Sequence, residues 1–303
     1  MFLHSIRNAG LLVFSGDDAQ SFLHAQLTSD VAGLALSKSQ YSGYCTPKGR
    51  LLASFLLWRN ESGYVLQLPA VLREPIQKRM SMYVLRSKVK VADASNEYAR
   101  MGISGDGAAQ ALNGIAGNVP KMVHDVVHSG GMTMLKLPAD RYEIVVLRTH
   151  EDRVRAALAA HAEAADAGRW DWLDIRAGIA TILPATQEEF VPQMVNFDAI
   201  GAVSFNKGCY PGQEIVARMH FLGKLKQRMV LAHIANDVAP RPGDKLYSAD
   251  FGDQASGMIA NAAPATAGGH DVLAVIQTTS MNAQPVHLNS PDGPPLELLP
   301  LPY

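Results

Sequence analysis

The most diagnostic part of this sequence is Lys207-Gly208-Cys209-Tyr210-Pro211-Gly212-Gln213-Glu214. It places a thiol two residues after a cation and just before a Pro-Gly turn, and the pattern that follows predicts a helix over residues 213–221. Glu214 and Arg218 are then i,i+4 partners on that helix. A lysine and a helix N-terminus both favour thiolate over thiol, which would make Cys209 a nucleophile or a ligand for a soft metal. The alternative is a buried, inert cysteine that fills a gap in the core.

The composition bounds the class of protein. A chain of 303 residues is long enough for two or three packed domains. Because 27 Lys and Arg nearly balance 28 Asp and Glu, no global field favours nucleic acid or an anionic membrane. The N-terminus lacks the pattern of a secretory signal, and the apolar runs are too short to span a bilayer, so we expect a cytoplasmic protein. With only Cys45 and Cys209, we expect no disulfide framework, a four-cysteine metal site is impossible within one chain, and we assign no metal site.

An internal echo predicts two related halves. Residues 13–23 and 101–112 both show an apolar run, a Ser-Gly-Asp turn and a helical pattern, at an offset of roughly ninety residues. In each copy the Asp is placed to cap the following helix. The same order of elements follows each copy, with strands predicted over residues 50–58, 63–68, 132–137 and 142–147 and helices over residues 72–85 and 151–161.

The C-terminal part has a different texture. Short β-type runs at residues 229–234, 245–247, 258–260, 272–277 and 296–301 alternate with Pro-Gly, Gly-Gly and Asp-Gly turns. We therefore predict an α+β protein with two related α/β halves within residues 1–224 and a small β-barrel over residues 225–303.

A family resemblance rests on two long runs. Residues 203–218, which contain the diagnostic stretch, and Phe190-Val191-Pro192-Gln193-Met194-Val195-Asn196-Phe197 resemble the signature of the YgfZ family almost residue for residue. Supporting matches lie at residues 16–23, 26–31 and 47–50, so the resemblance is strong over the first two-thirds of the chain and weak over the C-terminal barrel. The YgfZ proteins are relatives of the glycine-cleavage T-protein. The resemblance implies a T-protein-like folate-binding fold, tetrahydrofolate as cofactor, and a role in the assembly or repair of iron–sulfur enzymes, including those that modify tRNA.

The departures from the T-protein favour a helper over a transferase. The T-protein loop that matches Lys48-Gly49-Arg50 continues into a catalytic carboxylate, whereas this chain has Ala53 and Ser54 there. Neither residue moves a proton as a carboxylate does. A glutamate that grips the pterin in the T-protein is matched by Arg176. We expect an accessory protein; the alternatives are a folate-dependent, aminomethyltransferase-like one-carbon transferase and a scaffold in which Cys209 only packs.

The candidate site residues follow from the resemblance and from side-chain chemistry. Cys209 is the functional thiol and Lys207 its cationic neighbour. The pterin edge needs a partner that both donates and accepts, which the side-chain amide of Gln193 or Asn196 can provide. The glutamate tail of folate needs cations. We assign Lys48, Arg50 and Arg218 to it, with Lys207, Lys224 and Arg228 as further candidates, and Tyr210, Gln213 and Glu214 of the diagnostic stretch complete the folate site.

The expected partners are folate and iron–sulfur client proteins, and we expect a monomer that contacts no membrane. Residues 218–228 carry four cations that could touch tRNA phosphates. With a near-neutral total charge and no interleaved stacking aromatic residue beyond Phe221, no direct nucleic-acid contact is expected. His124 and His128 are predicted on one strand, too far apart to share a metal.

Overall fold

The computed structural model describes residues 1–166, 168–235, 239–281 and 285–303. The chain forms two compact units. The first comprises Met1–His24, Asp30–Tyr41 and Phe55–Trp170, and the second comprises Ala25–Ser29, Ser42–Ser54 and Asp171–Tyr303. The boundary predicted between residues 224 and 225 stays a prediction.

The elements run in the following order. The strands are β1 (Phe2–Ser5), β2 (Ala9–Ser15), β3 (Ser39–Cys45), β4 (Leu51–Asn60), β5 (Gly63–Pro69), β6 (Lys90–Asp93), β7 (Tyr98–Ser104), β8 (Val126–Ser129), β9 (Met132–Leu137), β10 (Arg141–Leu147), β11 (Glu163–Ala164), β12 (Gln227–Ile234), β13 (Lys245–Ser248), β14 (Gly257–Pro264), β15 (His270–Gln277), β16 (Val286–Leu288) and β17 (Glu297–Leu299). The helices are α1 (Ala19–Gln26), α2 (Ala70–Met82), α3 (Ala108–Ala116), α4 (Glu151–Ala159), α5 (Arg169–Arg176) and α6 (Gln213–Phe221).

Three sheets carry these strands. One has the order β3-β4-β5-β2-β6, the second β11-β1-β7-β10-β9-β8, and the third β16-β13-β14-β15-β12-β17. In the second sheet, alternate side chains such as Met101 and Ile144 are fully buried in a core that includes residues of α3 and α4. The third sheet is curled, and its inner residues form a separate apolar cluster. Helices with mixed sheets and a curled C-terminal sheet confirm the predicted α+β class.

The predicted echo is confirmed. In both copies a strand, β2 or β7, enters a turn through a glycine with positive φ, Gly16 at 109° and Gly105 at 92°, and a helix follows. The predicted aspartate caps are wrong. Asp17 pairs with Lys88, and α3 has Gly107 at its N-cap and no side-chain cap.

Most predicted elements are present, with corrections at their ends. Helix α2 stops at Met82, three residues before the predicted end, and Leu85 has a left-handed φ of 49°. His124 is also left-handed, at φ 70°, and β8 starts after it, so its predicted place on a strand is wrong. In the part of the chain that the structure describes, no helix is both long and apolar enough to cross a bilayer.

One glycine makes room for the ring of Trp170 in the first unit. A Cβ on Gly102, in the middle of β7, would overlap the ring of buried Trp170. We expect Gly102→Ala to lower the free energy of unfolding by about 1–3 kcal/mol through overpacking. Gly114→Ala is the matched control, because it adds the same methyl group within α3 where no atom lies within 4 Å.

The control is expected to leave stability unchanged or raise it by up to about 1 kcal/mol. Urea unfolding measured by far-UV circular dichroism compares the two variants. Equal stabilities would contradict the tight packing of Trp170 on β7.

Candidate functional site

Two glycines join the diagnostic stretch to the loop between β3 and β4. Gly212, the residue before α6, has φ 83°, and Gly49 has φ 72°. A Cβ on Gly212 would lie 2.5 Å from the carbonyl oxygen of Thr46 and 2.6 Å from the Cα of Gly49. Real Cβ atoms do not tolerate such distances, so the two backbones meet in a way that only glycine permits. The start of α6 is therefore fixed on the 46–50 loop.

Lys207 fixes the diagnostic stretch to a second segment. Its ammonium donates to the carbonyl oxygens of Leu27, at 2.6 Å, and Ser29, at 3.1 Å. It also lies 5.0 Å from the ring centroid of Tyr210, a cation–π distance. Between the two carbonyls, buried Thr28 donates its hydroxyl to the carbonyl of Ala202. Lys207 thus ties the diagnostic stretch to the backbone of residues 27–29. Its predicted influence on the Cys209 thiol stays a prediction.

Two buried amides anchor the preceding run. Gln193 is 4% exposed and donates Nε2 to the carbonyl of Val216 in α6, at 2.6 Å. Asn196 is 2% exposed and donates Nδ2 to the carbonyl of Met229 in β12, at 3.1 Å. A carbonyl only accepts, so these bonds fix which end of each amide is nitrogen. The oxygens Oε1 of Gln193 and Oδ1 of Asn196 are left buried without a hydrogen-bond partner among the described residues.

Unpartnered buried acceptors are costly and call for a donor. Asp198 adds a third, because its Oδ2 accepts from Arg228 at 3.0 Å while Oδ1 has no partner in the described ranges. Tyr303 also enters this region. Its hydroxyl accepts from Asn196 and donates to the carbonyl of Gly178, at 2.9 Å. Sequence analysis missed both Asp198 and Tyr303, since neither belongs to a motif.

The two cysteines differ in environment. Cys209 is exposed, four residues before α6. Cys45 is buried in β3, and burial raises the pKa of its thiol to about 12. Burial, with a smaller contribution from Cys45, also raises the pKa of the Tyr210 hydroxyl. Cys45 is therefore a packed, protonated thiol, whereas Cys209 is accessible to reagents and partners.

The predicted cations separate into free and engaged groups. Lys48, Arg218 and Lys224 are exposed. Arg50 donates to the carbonyl of Glu189, and Arg228 pairs with the carboxylate of Asp198.

The diagnostic stretch continues into α6 as predicted. Gln213 is half-buried, and its backbone N–H donates to the carbonyl of Tyr210. The predicted pairing of Glu214 with Arg218 is wrong, since no ion pair joins these two described residues. Both side chains are exposed to solvent, which removes most of the gain from pairing.

The positions that depart from the T-protein pattern hold no free acid. Ala53 is fully buried, and the Ser54 hydroxyl accepts from the backbone of Ile182 at 2.9 Å. Arg176 reaches the carboxylate of Asp271, 3.5 Å away. That buried carboxylate also accepts from Trp172 Nε1, at 2.8 Å, and bonds His233 Nδ1, at 2.9 Å. This cluster was not predicted because its members are scattered along the chain.

The chain is similar to known proteins in sequence and in fold. The chain is 31% identical to the tRNA-modifying protein YgfZ of Enterobacter sp. (strain 638), across 99% of this chain and 93% of the relative. It is 30% identical to the protein of that name in Shigella sonnei (strain Ss046), with the same coverage. Its fold matches the aminomethyltransferase T of the glycine cleavage system from Bartonella henselae, with a TM-score of 0.81 at 16% identity over 99% of this chain and 85% of that one. No family model matches. The predicted T-protein-like fold is confirmed.

The contact between Gly49 and Gly212 can be tested by adding one methyl group. Gly212→Ala combines left-handed strain of about 1–2 kcal/mol with overpacking of about 1–3 kcal/mol. Gly201→Ala is the matched control, since Gly201 has φ 71° and nothing within 4 Å. Chemical denaturation should show a larger loss of stability for Gly212→Ala, and equal losses would mean that the close approach does not exist.

Proposed function

This chain belongs to the YgfZ family, and we propose that it is a tetrahydrofolate-binding accessory protein for the assembly or repair of iron–sulfur enzymes, including enzymes that modify tRNA. The observation that carries the proposal is the set of unpartnered acceptors on residues 193–198, next to a stretch that presents an exposed thiol. Cytoplasmic location and a monomeric state are part of the same proposal.

The acceptors fit the pterin of a folate. The aminopyrimidine edge of a pterin presents N–H donors, and Gln193 Oε1, Asn196 Oδ1 and Asp198 Oδ1 are acceptors that lack donors among the described residues. The sequence suggested an amide that both donates and accepts, but the amide nitrogens are already bonded to backbone carbonyls. When the pterin binds, its N–H donors pair with these buried oxygens and remove the free-energy cost of leaving them unpaired. The site therefore selects a ligand whose edge is rich in donors. When bound, tetrahydrofolate supplies a carrier for one-carbon groups.

The cations and the thiol complete the assignment. Lys48 and Arg218 are exposed and carry no ion pair within the described ranges, so they are open to the glutamate tail. Cys209 is exposed on a stretch whose backbone is tied down at Lys207 and Gly212. An accessible thiolate is a strong ligand for iron and a nucleophile. We assign to it the direct contact with clients.

A folate-dependent transferase is the second candidate, favoured by the fold match to an aminomethyltransferase. Proton transfer by the T-protein route needs a carboxylate where this chain has buried Ala53. The neighbouring Ser54 hydroxyl is occupied by the backbone of Ile182. These two positions favour the accessory role.

Folate binding is tested by isothermal titration with tetrahydrofolate. Gln193→Met removes the unpartnered oxygen together with one amide-to-carbonyl bond, and we expect an affinity lower by about fivefold for about 1 kcal/mol. Gln187→Met is the control, because Gln187 donates in the same way to the carbonyl of Leu52, at 2.7 Å, and has no orphaned buried oxygen. Absence of binding by the unmodified protein at about 100 µM, roughly −5.5 kcal/mol, removes folate from the proposal.

The thiol is tested in cells that lack the native protein. We expect Cys209→Ser to abolish rescue of iron–sulfur enzyme activity while folate affinity and thermal stability stay unchanged, since the residue is exposed. Cys45→Ala is expected to retain rescue. Full rescue by Cys209→Ser contradicts the thiol assignment and leaves the folate assignment standing.

A further inference from the structure

An aromatic cluster forms beside the C-terminal end of α6. The rings of Phe205 and His220 are stacked, with centroids 3.7 Å apart and planes at 13°. Phe221 stands edge-on to both rings, at 6.1 Å from Phe205 and 4.7 Å from His220. Phe221 is 67% exposed and His220 is also exposed. The fold thus brings Phe205, from the loop before the diagnostic stretch, onto two aromatic residues of the helix.

The segment that follows Glu214 carries an excess of positive charge. No Asp or Glu occurs between Ile215 and Ala235, whereas the same segment holds four cations. Arg228 is neutralised by Asp198. The other three, Arg218, Lys224 and Lys226, are exposed and form no ion pair in the described part of the chain. A local positive surface therefore exists on a chain whose net charge is −1.

We propose that this cluster and its three cations bind single-stranded RNA. Unpaired bases stack on exposed aromatic rings, and the phosphates between them pair with nearby Lys and Arg side chains. A duplex hides its base faces, so an A-form helix cannot use such a ring. The expectation of no direct nucleic-acid contact rested on the near-neutral total charge and on Phe221 as the one stacking aromatic residue seen among these cations, and the fold adds Phe205 against His220 and Phe221. The proposal requires neither bound folate nor the Cys209 thiol, although it shares Arg218 with the site proposed for the folate tail.

An acidic protein surface is the rival partner, because it would meet the same cations. The stacked rings of Phe205 and His220 favour RNA, because an unpaired base can lie parallel to these rings and extend the stack. Leu222, 85% exposed, lies next to the cluster but has no ring. Replacing Leu222 therefore distinguishes the loss of stacking from the loss of a simple apolar contact.

The test uses fluorescence anisotropy with a labelled twelve-nucleotide single-stranded RNA and the full chain. We expect binding whose log–log salt slope is about −2, from three phosphate contacts at about −0.7 each. Phe221→Ala should weaken binding by about 5- to 150-fold, the range for loss of one stacked base. Leu222→Ala should change it less than about twofold, as expected for an exposed residue outside the contact.

A charge pair completes the design. Lys224→Gln should reduce the slope by about 0.7, whereas Lys245→Gln, an exposed lysine on β13, should not. Three results would overturn the proposal. They are no anisotropy change at about 50 mM salt, where phosphate contacts are strong; equal binding by Phe221→Ala; or preference for a duplex or an oligoglutamate peptide, which would indicate a generic cationic surface or an acidic protein partner.

Discussion

The close approach of Gly49 and Gly212 is the constraint on which the rest of the second unit depends. With the Cα of Gly49 only 2.6 Å from the position of a Cβ on Gly212, Gly212 cannot be replaced without moving a backbone, and a Cβ on Gly49 would lie 3.0 Å from the Cβ of Ile215. The contact sets where α6 begins. Once α6 is fixed, Val216 offers its carbonyl to Gln193, and the stretch before the helix holds Lys207 against the carbonyls of Leu27 and Ser29. One steric requirement thus gathers segments that are far apart in sequence.

Most polar groups of the signature are structural. Lys207, Gln193 and Asn196 all donate to backbone carbonyls, which ties the signature to the segment after α1, to α6 and to β12. The groups that remain available for chemistry are of two kinds. Amide and carboxylate oxygens stay buried without donors, and Cys209 stays exposed. The buried oxygens suit a ligand with N–H donors, whereas the exposed thiol suits contact with another protein. A division of this kind is expected of an accessory protein that binds a cofactor at one place and a client at another.

The sequence predicted what depends on local patterns. The echo was recognisable because a strand, a left-handed glycine turn and a helix leave a local signal twice, and α6 has the bounds that its Pro-Gly start predicts. Contacts between distant residues left no such signal. Asp271 with His233, and Phe205 stacked on His220, unite residues that are unremarkable alone. The cap predicted at Asp17 failed for a related reason, since Lys88 reaches Asp17 from the segment between α2 and β6. Local propensity yields to tertiary contacts at such positions.

A crystal structure with tetrahydrofolate tests the central claim most directly. The account predicts that pterin nitrogens lie about 2.7–3.2 Å from Oε1 of Gln193 and Oδ1 of Asn196, the range of N–H···O bonds. It also predicts that the sulfur of Cys209 remains exposed and does not contact the folate. A folate bound away from residues 193–198, or one in contact with the Cys209 sulfur, would contradict it.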